Sequence, residues 1–179
     1  MAHVTAGAEY GLHCLLYLVD AQNEAHPASA RDLADLQGVP VEYVAKLFTK
    51  LQKAGLVAAT EGVGGGFRLA REARSVSVLD VVIAIDGEKS LFECREIRGR
   101  CAIFDGKPPA WATRGVCSIH AIMLEAEARM REVLASRSLA EVAARVASKA
   151  PASYGKEIKK WLTDRAPGQR RAHKIDSPE

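Results

Sequence analysis

Apolar positions crowd the N-terminal stretch. Tyr10, Leu12, Leu15, Leu16, Leu18 and Val19 cover most of the circumference of a helix predicted over residues 5–21. A helix apolar on so many sides is buried on more than one of them, in a core or between subunits. Pro27 marks a connector, and Ser29 then caps a second helix, with Asp32 in its first turn and Ala30, Leu33, Ala34 and Leu36 as its apolar face. Gly38, Val39 and Pro40 make a turn into a third helix over 41–54, whose inward positions are Val44, Phe48 and Leu51 and which Gly55 ends. Two short helices around a glycine-containing turn are the helix-turn-helix pattern.

A short apolar strand (56–59), a glycine-rich loop (61–66) and a return strand (67–69) come next and read as a wing. A helix over 77–86 buries Leu79, Val82, Ile83 and Ile85, and Gly87 stops it. Residues 92–117 are loop-like, broken by Gly99, Gly106, Pro108, Pro109 and Gly115. A long helix over 118–134 carries Ile119, Ile122, Met123, Ala126, Met130, Val133 and Leu134 at helical spacing, with charges opposite. Long amphipathic helices outside a small domain usually pair with a second copy. A helix over 139–147 and a short piece around Ile158, Trp161 and Leu162 complete the arm, and the chain turns basic and is expected to be disordered from Arg165. The predicted fold is mainly α: a winged helix-turn-helix domain (1–87), a cysteine-containing loop (88–117), a helical dimerisation arm (118–164) and a tail (165–179).

Composition changes this picture little. At 179 residues, 48% of them hydrophobic, the chain can bury a core. No apolar run is long enough to span a bilayer, and Glu9 and His13 interrupt the N-terminal one, making it a poor signal peptide. A cytoplasmic protein without membrane contact is expected, in a compartment where clustered cysteines favour metal or redox chemistry over structural disulfides. A net charge of +3 is too mild to suggest nucleic acid alone, so the DNA reading rests on pattern.

In a helix-turn-helix the second helix of the motif enters the major groove with its N-terminal half. That half offers Val41, Glu42, Tyr43, Lys46 and Leu47. Glu42 suits a cytosine amine, Tyr43 a phosphate or thymine methyl, and Lys46 a guanine edge or phosphate. Lys50 and Lys53 lie further along, as backbone contacts, and Arg68 and Arg71 at the base of the wing suit phosphates or the minor groove. The glycines are not a nucleotide loop, because neither a Gly-Lys-Ser/Thr ending nor a Gly-x-Gly-x-x-Gly opening is present. With no paired carboxylates and no nucleophile beside a base, an enzyme is the least favoured class.

The run VEYVAKLFTKLQKAGLV, then GVGGGFRLAR, SVLDVVIAIDG and the trailing cysteines resembles the IscR/NsrR-type family of winged-helix iron–sulfur transcriptional regulators, from about residue 5 to residue 145. The resemblance implies a homodimer, crossed through the long helix, on a pseudo-palindromic operator in double-stranded DNA. It also implies a cysteine-ligated iron–sulfur cluster that tunes DNA binding.

The cysteines run Cys94-x6-Cys101-x15-Cys117, with His120 soon after. Iron–sulfur clusters want four protein ligands, mostly thiolate. The chain departs here from the compact spacing of the family resembled: Lys107, Pro108, Pro109, Ala110 and Trp111 lie in an insertion between Cys101 and Cys117. Glu9 and His13, at i and i+4, share a helix face and suit one metal. In some members of that family an N-terminal residue completes the cluster across the dimer interface. Cys94 and Cys117 of one subunit with Glu9 and His13 of the other would make four ligands, favouring 2Fe–2S over 4Fe–4S; Cys101 is the competing ligand. Two other readings stay open: a metal-free thiol–disulfide switch, and a zinc module of Cys94, Cys101, Cys117 and His120, whose uneven spacing disfavours it. Cys14, among leucines, is a packing residue.

Overall fold

The computed structural model describes residues 4–21, 27–62 and 65–165. In chain order the elements are α1 (Ala6–Ala21), α2 (Ala30–Gln37), α3 (Val41–Lys53), β1 (Val57–Thr60), β2 (Gly66–Leu69), α4 (Val78–Asp86), α5 (Ala110–Thr113), α6 (Ser118–Ala135), α7 (Leu139–Ala147) and α8 (Tyr154–Asp164), with short 3-10 turns between. The chain forms two compact units: residues 88–133, and the winged-helix unit made of residues 4–87 with 134–165. None of the helices among the described residues is long and apolar enough to cross a membrane.

In the winged-helix unit, α1 packs against α2, α3, α4, α7, α8 and β2. Ala8, Cys14, Leu15 and Leu18 of α1 are buried with Leu33, Val44, Phe48, Leu51, Val81 and Ile85. Among the α4 residues, Val81 is fully buried, a position absent from the expected set, while Leu79, Val82 and Ile83 are half-buried. The helix starts obey local chemistry. Ser29 accepts from the Asp32 N–H while Asp32 caps the Ser29 amide, a reciprocal capping box repeated at Ser77 with Asp80 and at Ser138 with Glu141. Gly38 closes α2 in the left-handed region at φ 68, open to glycine at little cost.

The antiparallel β1–β2 hairpin is stitched to the entry of α2. The Phe67 N–H donates to the Ala28 carbonyl at 2.8 Å and Ala28 returns the bond at 3.2 Å. This close approach needs glycine at the neighbouring position: a Cβ on Gly66 would lie 2.6 Å from the Pro27 carbonyl oxygen. The Phe67 ring lies 4.7 Å from that of Phe48, joining wing and α3 through the core.

The helices expected beyond the long helix as continuations of a dimer arm belong to this unit. Leu139 of α7 is fully buried, and Ile158 and Leu162 of α8 join the same core. Backbone bonds from Val78 N–H to the Arg137 carbonyl and from Leu139 N–H to the Val76 carbonyl fasten the start of α7 to the start of α4. Helical period exposes an apolar face in the sequence but does not say what covers it. Arg165, where the expected tail starts, caps α8 and forms ion pairs with Asp32 and Asp35; the rest of that expected tail, residues 166–179, lies outside the described residues.

In the second unit, two 3-10 turns (Ile97–Arg100 and Ala102–Phe104) and the single-turn α5 interrupt the cysteine segment before α6. Here α6 buries none of its residues. Ile119, Ile122 and Val133 are each more than half exposed.

Truncation of Phe48 to Ala should destabilise the winged-helix unit by about 3–5 kcal/mol, because it removes the ring joining α3 to the wing and leaves a cavity. Denaturant unfolding checks this, and a loss below about 1 kcal/mol would show that the core closes without that ring.

Candidate functional site

Two surfaces carry the chemistry anticipated from the sequence. The first is the exposed side of the helix-turn-helix and wing. Glu42 and Lys46 on α3 are exposed, as are Arg68 and Arg71. Tyr43 is half-buried with its ring edge-on to Tyr10 at 5.8 Å, and Leu47, offered as a base contact, is buried in the core. Lys50 differs from expectation as well: its ammonium donates to the Ile85 carbonyl at 2.6 Å, satisfying an orphan carbonyl near the end of α4. It therefore ties α3 to α4 while its side chain stays exposed. Arg68 donates to the Thr60 hydroxyl across the hairpin at 3.0 Å. Sequence reading passed over Arg31, exposed in the first turn of α2; only its place on the outward side of that helix singles it out.

The second surface lies in the cysteine unit. Phe92, Cys94, Glu96, Arg98, Cys117 and Ile119 line one cleft of about 280 Å³. Cys117 immediately precedes α6, and the His120 backbone N–H, then the Ile119 N–H, donate to its sulfur. With the Arg98 guanidinium adding a positive field, these donors hold the Cys117 thiol below its ordinary range. A thiolate at a helix N-terminus is a nucleophile and a soft-metal ligand. The Cys94 sulfur donates to Glu96 at 3.5 Å.

Arg98 organises the cleft. Its guanidinium donates twice to Glu96, at 3.1 and 2.7 Å, and to the Gly115 carbonyl at 2.9 Å. It thereby joins the segment carrying Cys94 to the turn leading into Cys117. Glu96 sits in the left-handed region at φ 47, an uncommon place for a residue with a Cβ. Its carboxyl is held below the usual range by the Arg98 hydrogen bond, with Cys94 adding to the effect.

Cys101 is exposed and does not line the cleft. His120 stacks obliquely near Phe92, ring centroids 5.9 Å apart. Glu9 and His13 lie on the exposed side of α1. Cys14 is fully buried, and burial pushes its thiol up to about 12. Among the described residues, no three His, Cys, Asp or Glu side chains converge closely enough to hold a metal ion. The donors therefore suit an iron–sulfur group in kind, two sulfurs in one cleft with one favoured as thiolate, and within one chain fall short of it in number.

Residues 4–145 match the Rrf2 family, described as iron-dependent transcriptional regulators. The chain belongs to the Rrf2 family. The protein rrf2 of Nitratidesulfovibrio vulgaris is 33% identical over 139 residues, covering 78% of this chain and 85% of its own length. The HTH-type transcriptional regulator IscR of Vibrio campbellii is 30% identical over 139 residues, covering 78% of this chain and 76% of its own. Among solved structures, CymR of B. subtilis, a global cysteine regulator, superposes with a TM-score of 0.64 at 22% identity, covering 81% of this chain and 98% of that one. IscR of T. potens does so with a TM-score of 0.62 at 24% identity, covering 85% and 96%. The two structures establish the winged-helix fold, and the family makes this Rrf2 protein a transcriptional regulator of the IscR-like kind.

In the Rrf2 protein, Cys117 should react with iodoacetamide at a lower pH than an ordinary thiol does, and Cys14 only on unfolding. Replacing Arg98 with Ala should raise the pH at which Cys117 reacts. Mass-spectrometric alkylation across a pH series reads both, and equal rates at Cys14 and Cys117 would refute the site's electrostatics.

Proposed function

We propose that the protein is a homodimeric, cytoplasmic DNA-binding regulator whose affinity for a pseudo-palindromic operator is set by an iron–sulfur cluster at the cysteine unit, responding to redox state, nitric oxide or iron supply. The observation that carries this reading is the cleft that Cys94 and Cys117 both line, with the Cys117 sulfur seated on the amides at the start of α6. Cys94 and Cys117 would supply the thiolates. Glu9 and His13, one turn apart on the exposed side of α1, would complete the set from the other subunit, with Cys101 the competing ligand. A cluster with two thiolates and two non-thiolate ligands supplies one-electron chemistry at raised potential, which favours 2Fe–2S over 4Fe–4S.

The chain's own residues do the rest. Arg98 bridges the two cysteine segments, so a change at either sulfur alters the turn that sets the start of α6. The exposed stripe of Ile119, Ile122, Ala126 and Val133 on α6 is the face for the second copy. On the DNA side, Glu42, Tyr43 and Lys46 would face base edges or the adjoining backbone, and Arg68 and Arg71 the phosphates or minor groove beside them.

A second reading rests on a specific observation: a favoured thiolate and a second thiol share one cleft with no third converging ligand among the described residues. Cys94 and Cys117 would then act as a metal-free redox pair, oxidised to a disulfide with loss of two electrons and two protons to a peroxide-class oxidant.

Iron and acid-labile sulfide in anaerobically purified protein separate the two. About two of each per chain is the expected result, lost together on Cys94→Ala or Cys117→Ala and spectrally shifted by His13→Ala. Colourless protein without either would favour the thiol pair, and four of each would move the site toward three cysteines. Lys46→Ala should weaken operator binding roughly tenfold or more while leaving any chromophore unchanged; undiminished affinity in a gel shift would displace α3 from the groove.

A further inference from the structure

Both chain connections of the cysteine unit run to α4. The winged-helix unit breaks off after Gly87 and resumes at Leu134, so the cysteine unit departs from the last turn of α4. The returning stretch is fastened at the start of the same helix. There the Val78 N–H donates to the Arg137 carbonyl at 2.8 Å, and the Leu139 N–H to the Val76 carbonyl at 2.9 Å.

The last turn of α4 is held from two sides. Toward α1, the Ile85 side chain packs where a Cβ on Gly11 would collide with it, and the Asp86 carboxylate accepts from the Thr5 N–H at 2.9 Å and from the Thr5 hydroxyl. Toward α3, the Lys50 ammonium donates to the Ile85 carbonyl at 2.6 Å. Carbonyls in the last turn of a helix have no intrahelical partner, so Lys50 supplies a bond that α4 cannot. The direction of that carbonyl follows the planar peptide unit joining Ile85 to Asp86. Only Gly87, at φ 77, separates Asp86 from Glu88, the first residue of the cysteine unit past α4. A change of chain path at Asp86 therefore reorients the acceptor of Lys50 directly.

Lys50 lies one turn after Lys46 on the same side of α3. Glu42 is about 12 Å from it along the axis of the same helix, so a displacement at Lys50 is carried to the base-facing end. We infer that Lys50 is a positioning residue for DNA reading, whose bond to the Ile85 carbonyl carries the state of the cysteine unit from the exit of α4 into α3. The inference rests on the proposed control of DNA affinity by that unit and deepens it by naming the link. It gives Lys50 a role other than the phosphate contact that its charge alone suggests.

The test measures the affinity of the full chain for an operator selected with the parent, before and after iron removal, in Lys50→Met and Lys50→Arg. Methionine keeps an apolar stem and good helix propensity and removes the donor. The parent's affinities should differ roughly tenfold or more between the two states, and those of Lys50→Met by less than about threefold. Iron content, visible spectrum and melting temperature should stay as in the parent. Lys50→Arg, which keeps a cationic donor, should retain most of the parent's ratio. A phosphate-binding Lys50 gives another pattern: Lys50→Met then weakens both states by one factor, keeps their ratio and lowers the slope of log K against log salt by about 0.9 per chain. That result would overturn the link and leave control by the cysteine unit standing. A Lys50→Arg chain that melts like the parent yet loses the ratio would overturn it as well. A parent with equal affinity in the two states would overturn both the link and the reading beneath it.

Discussion

Helix α1 has to satisfy neighbours on several sides at once. It meets α2, α3, α4, α7, α8 and β2, and its buried positions, Ala8, Cys14, Leu15 and Leu18, leave no room for a charge. Glu9 and His13 must therefore share the outward side, where the helical period sets them one turn apart. The same packing positions the reading helix, because Val44, Phe48 and Leu51 of α3 enter the core that α1 builds, so Glu42 and Lys46 are turned outward. One buried helix thus sets the outward direction both of Glu42 and Lys46 on α3 and of its own Glu9 and His13.

The cysteine unit obeys a different constraint. It has little core of its own, and α6 within it buries no residue. Order around the two sulfurs comes from polar contacts: the start of α6 donates to Cys117, and Arg98 clasps Glu96 and the Gly115 carbonyl. A site held by hydrogen bonds and charge responds to a change at sulfur more readily than one held by close packing. That softness suits a sensing element, and its chain runs on from α4 at one end and into α7 at the other, two helices of the winged-helix core.

Much of the fold was legible from residue chemistry. Ser29 with Asp32, Gly38 after α2, and Gly87 after α4 act locally, and the helices start and stop where those residues predict. The wing was legible for the same reason. What the sequence left hidden depends on contacts between distant residues. The sequence offered a helix over 139–147 and a short piece around Ile158, Trp161 and Leu162 as parts of an arm, without a sign that Leu139, Ile158 and Leu162 close the core around α1. Lys50 read as a free cation until its Ile85 partner, 35 residues away, was in view, and Leu47 read as a base contact although it faces inward. At the candidate site the cysteines were visible as residue types and the start of α6 was placed correctly. The Arg98 clasp, which spans 17 residues to Gly115, left no local signal.

The central claim is that the state of the cysteine unit sets DNA affinity. Its most direct measurement is the affinity of one anaerobic preparation for an operator recovered by selection from genomic fragments, before and after a chelator and mild oxidant remove bound iron. The account predicts a change of roughly tenfold or more, corresponding to a coupling of about 1–3 kcal/mol, in the parent chain and none in a Cys94→Ala, Cys117→Ala chain. Equal affinity before and after iron removal in the parent would contradict it.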